Sequence, residues 1–210
     1  MADDACLADP RIAEVLVPEA DLMRRVRALA REIVAAQPAD GRGLYVLGVL
    51  NGAFMFFADL ARELRRAGLT DAIYGFVKTS AYGHGLKTGV PPQVHLDYEP
   101  ADLRGKRLLL VEDLLDQGAT LTFLRRELLD RIGAADLQIC VLLRKQLAEL
   151  PPAVAALRAT VVPDFVGFDI PDRWVAGYGL DAAGQFRDLP CVVAVREEYF
   201  QKKTEPQSAE

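Results

Sequence analysis

Residues 108–121 read LLLVEDLLDQGATL, and this stretch decides the class of fold. It opens with four aliphatic residues, 108–111, a run that is typical of a strand buried on both faces of a parallel sheet. Two adjacent carboxylates, Glu112 and Asp113, end the run, and a third, Asp116, follows three residues later. Because ligands bind at the carboxyl edge of parallel α/β sheets, the stretch predicts an α/β fold with a ligand site at this edge.

The turn that follows the acids is suited to a phosphate group. Gly118 and Ala119 allow backbone N–H groups to approach a ligand closely, and Thr120 can donate its hydroxyl. The predicted helix that begins here adds the positive end of its dipole at the same point. Carboxylates beside a phosphate turn fit a ligand that also carries hydroxyls or a metal. Ribose 5-phosphate has both features, with vicinal hydroxyls for Glu112 and Asp113 and a phosphate for the turn.

Composition indicates one globular domain and argues against several classes of protein. The chain has 210 residues, of which 51% are hydrophobic, enough for a substantial core. Its formal net charge of -5 argues against general nucleic-acid binding, which relies on a basic surface. The longest apolar runs are of strand length, so no signal peptide or membrane span is expected. Cys6, Cys140 and Cys191 lack metal-ligand spacing and are typical of reduced thiols in a cytoplasmic protein, with Cys140 and Cys191 in the core and Cys6 in a mobile start.

Helix and strand patterns alternate along the chain, which predicts a mainly parallel twisted sheet flanked by helices. The predicted strands are 43–50, 72–78, 93–98, 106–112 and 137–143, and the predicted helices are 19–36, 53–67 and one with the core stripe Leu121, Leu124, Leu128 and Ile132. The helix 53–67 is expected to turn four side chains inward: Phe54, Phe57, Ala61 and Leu64. Residues 161–195 hold short apolar pieces broken by Pro and Gly, which indicates irregular strands over the sheet edge and no further strand–helix–strand unit.

The ribose-phosphate pattern of residues 108–121 resembles the phosphoribosyl diphosphate signature of the purine phosphoribosyltransferases. Residues 50–60, LNGAFMFFADL, are similar to the first active-site loop of the hypoxanthine-guanine members of that family. Ser80-Ala81-Tyr82-Gly83 resembles their flap, which closes over the reacting centre and excludes water. Residues 163–181, PDFVGFDIPDRWVAGYGLD, with 186–190, FRDLP, resemble their purine-site segment. The matches together cover roughly residues 43–195.

The resemblance implies the domain organisation and the reaction. It implies a type I phosphoribosyltransferase-like fold in a single domain, 1–201, with a core at about 40–160. A small irregular hood for the base would be formed from about 161–195 plus the N-terminal segment, and the tail 202–210 is expected to be disordered. The implied reaction moves the 5-phosphoribosyl group from phosphoribosyl diphosphate to N9 of hypoxanthine or guanine, which gives IMP or GMP and diphosphate in purine salvage.

The resemblance also assigns roles to residues of this chain. The catalytic residues would be Asp116, which exchanges a proton with N7 of the base, Tyr82 of the flap, and Arg187. The ribose and its phosphate would be bound by Glu112, Asp113, Gln117, Gly118, Ala119, Thr120 and Leu121, and the diphosphate by Asn51, Gly52 and Arg187. The purine would be bound by Lys145 at its 6-oxo group, by stacking on Trp174, and by the backbone carbonyls of Val175 and Asp181. Mg²⁺ would be the cofactor, held by Asp181, Glu112 and Asp113.

Two positions depart from the family's pattern and leave alternatives open. Asn51 stands where Lys is common, in a turn that has a cis peptide in the family, and Ala81 stands where Ser is usual. A xanthine-preferring phosphoribosyltransferase and a non-catalytic nucleotide-sensing regulator therefore remain alternatives. Adenine lacks the 6-oxo acceptor for Lys145, and pyrimidines lack the N7 that Asp116 would serve. The expected partners are the two small-molecule substrates, with neither nucleic acid nor membrane, and a second copy of the chain in a homodimer or homotetramer.

Overall fold

The computed structural model describes residues 6–38, 40, 42–79 and 94–200. The strands are β1 (Ile12–Val17), β2 (Leu44–Leu50), β3 (Ala72–Thr79), β4 (Val94–Leu96), β5 (Arg107–Leu115), β6 (Asp136–Gln146), β7 (Phe165–Pro171), β8 (Val175–Ala176) and β9 (Val192–Val195). The helices are α1 (Glu19–Ala36), α2 (Phe54–Arg66), α3 (Pro100–Leu103), α4 (Ala119–Arg126), which continues as a π-helix over Glu127–Ile132, and α5 (Pro152–Ala159), with a 3-10 turn at Glu197–Tyr199. The predicted flap, Ser80-Ala81-Tyr82-Gly83, and the tail 202–210 lie outside the described residues.

Six strands form the main sheet in the order β4-β3-β2-β5-β6-β7. All neighbours are parallel except β4, which runs antiparallel to β3 at one edge. This topology confirms the predicted mainly parallel sheet. A second, antiparallel sheet has the order β1-β9-β8 and joins the N-terminal strand to the last part of the fold. In the described part of the chain, no helix is both long and apolar enough to cross a membrane.

Strand β5 lies at the centre of the sheet and is buried on both faces, as its aliphatic run predicts. Leu109 and Val111 pack in one layer with α1 and α2, whereas Leu108 and Leu110 pack in the opposite layer with α4. All four side chains are fully buried. Because burying one aliphatic side chain contributes about 1.5–3 kcal/mol, this alternation favours a sheet covered on both sides over an open one.

The predicted inward face of helix α2 is wrong at two positions. Phe57 and Leu64 are buried as expected, but Phe54 is among the exposed large hydrophobic side chains and Ala61 is only partly buried. Phe56 and Leu60 are buried in addition. Phe54 is the first residue of α2, next to the turn that follows β2, so its side chain lies near that turn and beyond the layer that covers the sheet.

Strand β5 runs to Leu115, three residues past the predicted end at residue 112, so Glu112 and Asp113 lie within it and not at its end. Its pairing with β2 stops at Val111, whereas its pairing with β6 continues to Leu115. Strand β2 itself continues to Leu50 and stays paired with β3, so β2 and β5 separate after Gly48 and Val111. The acids are therefore unpaired on the β2 side, while β5 stays paired with β6.

The segment 161–195 is regular in part, which the sequence did not indicate. Phe165–Pro171 forms β7, a parallel edge strand beside β6, so β6, α5 and β7 make a strand–helix–strand unit. Helix α5 has no fully buried side chain, which explains why its pattern carries no clear core stripe. The part after β7 is irregular as expected, with two short strands.

The prediction for Cys6, near the N-terminus, is also wrong. Cys6 is 4% exposed, and its Sγ lies 3.0 Å from Sγ of Cys191, so it packs in the core of the second sheet instead of lying in a mobile start. Cys140 and Cys191 are fully buried as predicted, and none of the three forms a disulfide within the described part of the chain.

Candidate active site

The carboxyl ends of β2, β3, β5 and β6 meet at a cavity of about 510 Å³, which the irregular segment after β7 closes on one side. This location agrees with the rule that parallel α/β sheets bind ligands at their carboxyl edge. The cavity brings together eleven of the residues predicted from the sequence: Asn51, Gly52, Glu112, Asp113, Asp116, Thr120, Lys145, Trp174, Val175, Asp181 and Arg187. Tyr82 lies outside the described residues.

A smaller pocket of about 230 Å³ is formed by the turn between β5 and α4. It is lined by Thr120, which also lines the larger cavity, and by the remaining predicted phosphate residues: Gln117, Gly118, Ala119 and Leu121. Gly118 has φ +84°, a left-handed conformation that favours glycine, and α4 begins at the next residue. The side chain of Leu121 is buried in the core, so only its backbone is available to a ligand. The N-terminus of α4 therefore presents backbone N–H groups at this pocket, an arrangement that can bind a phosphate.

Glu112 and Asp113 form a carboxyl pair in the cavity, with Glu112 buried and Asp113 partly buried. Glu112 is 6% exposed, and burial raises its pKa well above the usual range, with a further rise from the neighbouring Asp113 carboxylate. Burial also raises the pKa of Asp113, although a hydrogen bond with Glu112 opposes the rise. Burial therefore favours the neutral form of Glu112, and the two carboxyl groups share a hydrogen bond.

Gly52 packs directly against this acid pair. A Cβ built on Gly52 would lie 1.5 Å from Oδ2 of Asp113, which no real side chain could occupy. The peptide bond Leu50–Asn51, just before it, is cis, as the resemblance led us to expect. The loop between β2 and α2 thus brings its backbone to the acids of β5.

We expect Glu112→Gln to stabilise the free protein at neutral pH, because Gln keeps the shape of the protonated acid without a titrating group. Since the folded-state pKa of Glu112 is raised, its protonation stabilises the fold below the unfolded value of 4.5, and this contribution is lost as the pH rises from that value through the folded pKa. The variant should therefore melt about 2–4 °C higher near neutral pH, the shift expected for ~1 kcal/mol in a chain of this size.

Thermal denaturation at about pH 5 and at about pH 7.5 measures this effect. The difference in melting temperature between variant and parent should grow with pH. Glu149→Gln, at an exposed position, is the matched control and should change little at either pH. A difference that is the same at both pH values would contradict the assignment of the raised pKa.

Lys145 connects two carboxylates at the far end of β6. Its Nζ lies 3.3 Å from Oδ2 of Asp116 and 3.1 Å from Oδ1 of Asp172, and only 11% of its side chain is exposed. Strand β7 pairs Ile170 with Lys145, which brings Asp172, two residues later, beside the ammonium group. The sequence did not single out Asp172, because its place depends on the register of β7. A cation between two carboxylates can change partners when a ligand enters.

Arg187 and Asp181 form an ion pair on the cavity wall. Nη2 of Arg187 lies 2.5 Å from Oδ1 of Asp181, and Nη1 donates to the carbonyl of Gly179 at 2.7 Å. Oδ2 of Asp181 accepts from the backbone N–H of Gly184 at 2.7 Å. About a third of each side chain is exposed, so both remain available to a ligand.

Trp174 lines the cavity and is supported from behind by Phe200. The ring centroids of Trp174 and Phe200 are 5.2 Å apart, with an angle of 56° between the planes. Val175 follows in β8, where it pairs with Ala194 and is buried. The indole therefore has a defined position, and a flat ring in the cavity could stack on it.

The phosphoribosyl transferase domain family matches residues 16–182. The chain belongs to this family. Hypoxanthine phosphoribosyltransferase of Escherichia coli (strain K12) is 38% identical to it over 180 residues, which are 85% of this chain and 93% of the relative. Hypoxanthine-guanine phosphoribosyltransferase of Aquifex aeolicus is 35% identical over 184 residues, 88% of this chain and 95% of the relative.

Solved structures agree with the sequence comparison. A crystal structure of a hypoxanthine-guanine phosphoribosyltransferase from Bacillus anthracis has a TM-score of 0.72 and 30% identity, and covers 88% of this chain and 99% of that one. A structure of the Trypanosoma cruzi hypoxanthine phosphoribosyltransferase has a TM-score of 0.75 and 28% identity, over 92% and 96%. These similarities confirm the family, the fold and the pentosyl-transferring class of enzyme that were expected from the sequence.

Members of the phosphoribosyltransferase family need a divalent metal. The carboxylates of this chain could bind such an ion if water and substrate supplied the remaining ligands. Among the described residues, no group of three or more His, Cys, Asp or Glu side chains is arranged as a metal site. Glu112, Asp113 and Asp181 do line the same cavity. An oxygen-only set of this kind suits a hard cation that takes one or two protein carboxylates and completes its shell with water and substrate oxygens, as Mg²⁺ does.

Three residues of the site were missed by the sequence reasoning besides Asp172. Lys78 and Thr79 line the cavity from the end of β3, and Phe200 supports Trp174. The position of Lys78 at the end of a predicted strand was a usable signal, because parallel strands end at the same edge. Phe200 carries no such signal, since its place depends on how the second sheet closes.

Proposed function

We propose that this phosphoribosyltransferase moves the 5-phosphoribosyl group from phosphoribosyl diphosphate to N9 of hypoxanthine or guanine, in purine salvage. One observation carries the proposal: a single cavity joins the Glu112–Asp113 acid pair and the Arg187–Asp181 ion pair to Lys145 and Trp174. The adjoining turn offers a phosphate pocket. The names of the relatives support hypoxanthine and guanine as the bases.

The ribose phosphate would bind at the acids and the turn. Glu112 and Asp113 would accept hydrogen bonds from the two ribose hydroxyls, and the N-terminus of α4 would bind the 5-phosphate. The backbone N–H groups of the turn can bind a phosphate without a cationic side chain. Such neutral donors suit a site that lies beside several carboxylates. This arrangement would hold C1 of the ribose between the leaving diphosphate and the attacking base.

The departure of diphosphate would be assisted by positive groups on the cavity wall. As N9 attacks and diphosphate leaves C1, negative charge builds on the leaving group and positive charge on the ribose ring. Arg187 and the backbone of Asn51 and Gly52 would stabilise the leaving group, an electrostatic effect that is often the largest in such reactions. When bound to Asp181, Glu112 and Asp113, Mg²⁺ would supply further positive charge to the diphosphate.

The base would be bound between Lys145 and Trp174. Lys145 would donate to the 6-oxo group, and the indole of Trp174 would stack on the purine. The backbone carbonyls of Val175 and Asp181 would accept from N1–H and the 2-amino group. Asp116, 3.3 Å from the Lys145 ammonium, would take the N7 proton while N9 attacks and return it in the reverse reaction.

Three further expectations complete the proposal. Tyr82 and its neighbours would form the flap that excludes water from the reacting centre. The protein would work in the cytoplasm, where cysteines that form no disulfide stay reduced. It would form a homodimer or homotetramer, which light scattering coupled to size-exclusion chromatography can determine. A non-catalytic regulator is not favoured, because the relatives in the comparison are transferases.

The direct test is conversion of hypoxanthine, guanine, xanthine and adenine to nucleotide with phosphoribosyl diphosphate, with and without Mg²⁺. The expected result is formation of IMP and GMP that depends on Mg²⁺. Faster conversion of xanthine would replace the proposed base preference. No product from any base, in folded protein that still binds phosphoribosyl diphosphate, would contradict the proposed activity.

We expect Lys145→Ala to weaken the use of 6-oxopurines more than the use of phosphoribosyl diphosphate. Loss of one hydrogen bond from a charged donor should raise KM for hypoxanthine about 10–100-fold. KM for phosphoribosyl diphosphate should change by less than about 3-fold, because the phosphate turn would bind through its own backbone N–H groups and not through Lys145. Steady-state kinetics with each substrate varied separately measures both values. Lys106→Ala, at an exposed position before β5, is the control, and an effect confined to the diphosphate substrate would contradict the role.

A further inference from the structure

Tyr178 makes a partly buried hydrogen bond to a helix far away in the sequence. Its hydroxyl donates to Oδ2 of Asp59 at 2.7 Å, across 119 positions of the chain. Tyr178 is 4% exposed and packs in the main core, whereas Asp59 lies in the second turn of α2 and also pairs with Arg62 on its outer side. Burial raises the pKa of Tyr178, and the Asp59 carboxylate raises it further, so the hydroxyl keeps its proton and can donate.

Tyr178 sits in a turn whose backbone is unusual at three consecutive positions. Gly177, Tyr178 and Gly179 have φ values of +95°, +50° and +103°. The left-handed region is uncommon for a bulky side chain, so the surroundings must hold Tyr178 there. The backbone N–H of Tyr178 donates to the carbonyl of Leu189 at 2.8 Å, and its hydroxyl is fixed by Asp59. Both ends of this residue are therefore anchored.

This turn contacts the two groups proposed to bind the diphosphate. A Cβ on Gly179 would lie 2.2 Å from the carbonyl oxygen of Gly52, so the two backbones are in close contact. The carbonyl of Gly179 accepts from Nη1 of Arg187 at 2.7 Å, and its N–H donates to the Arg187 carbonyl at 2.9 Å. A shift of the turn would therefore move Arg187 relative to the loop at Gly52.

Helix α2 connects the Gly52 loop to Asp59. The loop that contains Gly52 runs directly into α2, which begins at Phe54, and Asp59 lies five residues into that helix. The same rigid element thus carries both the diphosphate loop and the acceptor of the Tyr178 hydroxyl. The turn at Gly179 is thus linked to the Gly52 loop in two ways. One is direct backbone contact, and the other runs through the Tyr178–Asp59 hydrogen bond and helix α2.

We propose that Asp59 and Tyr178 are a positioning pair that sets the distance between Arg187 and the Gly52 loop, and so the width of the diphosphate site. This inference rests on the proposed function for the identity of the ligand. Neither side chain lines the cavity, and both act through the turn at Gly179. Loss of the pair should therefore weaken the binding of ligands that carry a diphosphate group and leave the binding of a nucleoside monophosphate unchanged.

The test is Tyr178→Phe, which removes one hydroxyl and keeps the ring in the core. KM for phosphoribosyl diphosphate and the dissociation constant of free diphosphate should each rise on the order of ten-fold, because small displacements of a binding group weaken it strongly. The dissociation constant of GMP, which has no diphosphate, should change by less than about two-fold. Isothermal titration with diphosphate and with GMP, in the presence of Mg²⁺, measures both constants without turnover.

Tyr74→Phe is the matched control. Tyr74 also donates its hydroxyl to α2, at the carbonyl of Ala61 over 3.4 Å, but it lies in β3 and outside the cavity lining. Both substitutions remove a hydroxyl that contacts α2, so a merely structural effect would appear in both. Only Tyr178→Phe should weaken diphosphate binding relative to GMP binding.

The acceptor gives a second arm. Asp59→Asn keeps an oxygen for the hydroxyl and should stay within about three-fold of the parent, whereas Asp59→Ala should reproduce Tyr178→Phe. The double variant Tyr178→Phe/Asp59→Ala should be no worse than either single variant, because both remove the same bond. Additive losses of diphosphate binding in the double variant would contradict the proposal that Asp59 and Tyr178 act as a pair.

Two further outcomes separate the inference from the proposed function. Equal losses of diphosphate and GMP binding in Tyr178→Phe, or equal behaviour of Tyr178→Phe and Tyr74→Phe, would overturn the positioning pair. Parent protein that converts no base would overturn the proposed activity alone, since the titrations with diphosphate and GMP still decide the role of the pair.

Discussion

Asp116→Asn is expected to lower kcat for nucleotide formation by about 10²–10⁴-fold, the range that a positioned general acid or base contributes. The carboxyl group lines the cavity and lies 3.3 Å from Nζ of Lys145. Asn has nearly the same size and still offers an oxygen to the ammonium group, so binding should change little. It cannot take the N7 proton, however, and the chemical step loses its base.

Steady-state kinetics beside GMP titration distinguishes proton transfer from binding. The dissociation constant of GMP should stay within about three-fold of the parent while kcat falls. Asp172→Asn is the matched control, because it removes the other carboxylate at Lys145, 3.1 Å from the same nitrogen. If both variants lost turnover equally, the charge balance at Lys145 would be the cause. Unchanged turnover in Asp116→Asn would refute the assignment.

Arg187→Met should lower kcat/KM for phosphoribosyl diphosphate by about 10²–10³-fold, comparable to the loss of one donor at a developing negative charge. Two effects act in the same direction. The guanidinium that would stabilise the leaving diphosphate is gone. Asp181, whose Oδ1 lies 2.5 Å from Nη2 of Arg187 in the parent, loses its ion-pair partner and leaves a negative charge on the cavity wall. The turn at Gly179 also loses the donor to its carbonyl.

Kinetics with the two substrates varied separately measures the loss for each of them. KM for the base should change far less than kcat/KM for phosphoribosyl diphosphate. Arg187→Lys keeps the charge without the two-pronged geometry and should fall between parent and Met variant. Arg131→Met, at an exposed ion pair with Glu127 on the π-helix, controls for the loss of any arginine. A value for phosphoribosyl diphosphate within about three-fold of the parent would show that Arg187 serves another purpose.

Asn51, which replaces the lysine common in the family, bears on the role of Arg187. Asn51 is exposed at the cavity, next to the cis peptide bond, and brings an amide where the family commonly has a lysine. With no cation at that position, Arg187 carries more of the positive charge in this part of the wall. Lys78, at the end of β3, lines the same cavity and supplies another cation. The lysine that the family's pattern leads one to expect thus has a possible substitute from a neighbouring strand.

Local chemistry in the sequence was sufficient for the central part of this fold. The aliphatic run of β5 needs burial on both faces, and the glycine at 118 permits the left-handed turn that opens α4. These features depend on residues close together in the chain, so periodicity and turn chemistry predict them well. The purine end of the cavity, from Lys145 to Asp181, followed only from the family resemblance.

The tertiary structure alone decided which distant residues meet. Asp172 reaches Lys145 through the register of β7 on β6, and Phe200 reaches Trp174 through the closure of the second sheet. The Asp59–Tyr178 bond spans 119 positions and the Cys6–Cys191 contact 185. Strand order and register set such contacts, and they arise from packing the whole chain at once. Hydrophobic periodicity in one segment contains no information about which other segment will lie against it.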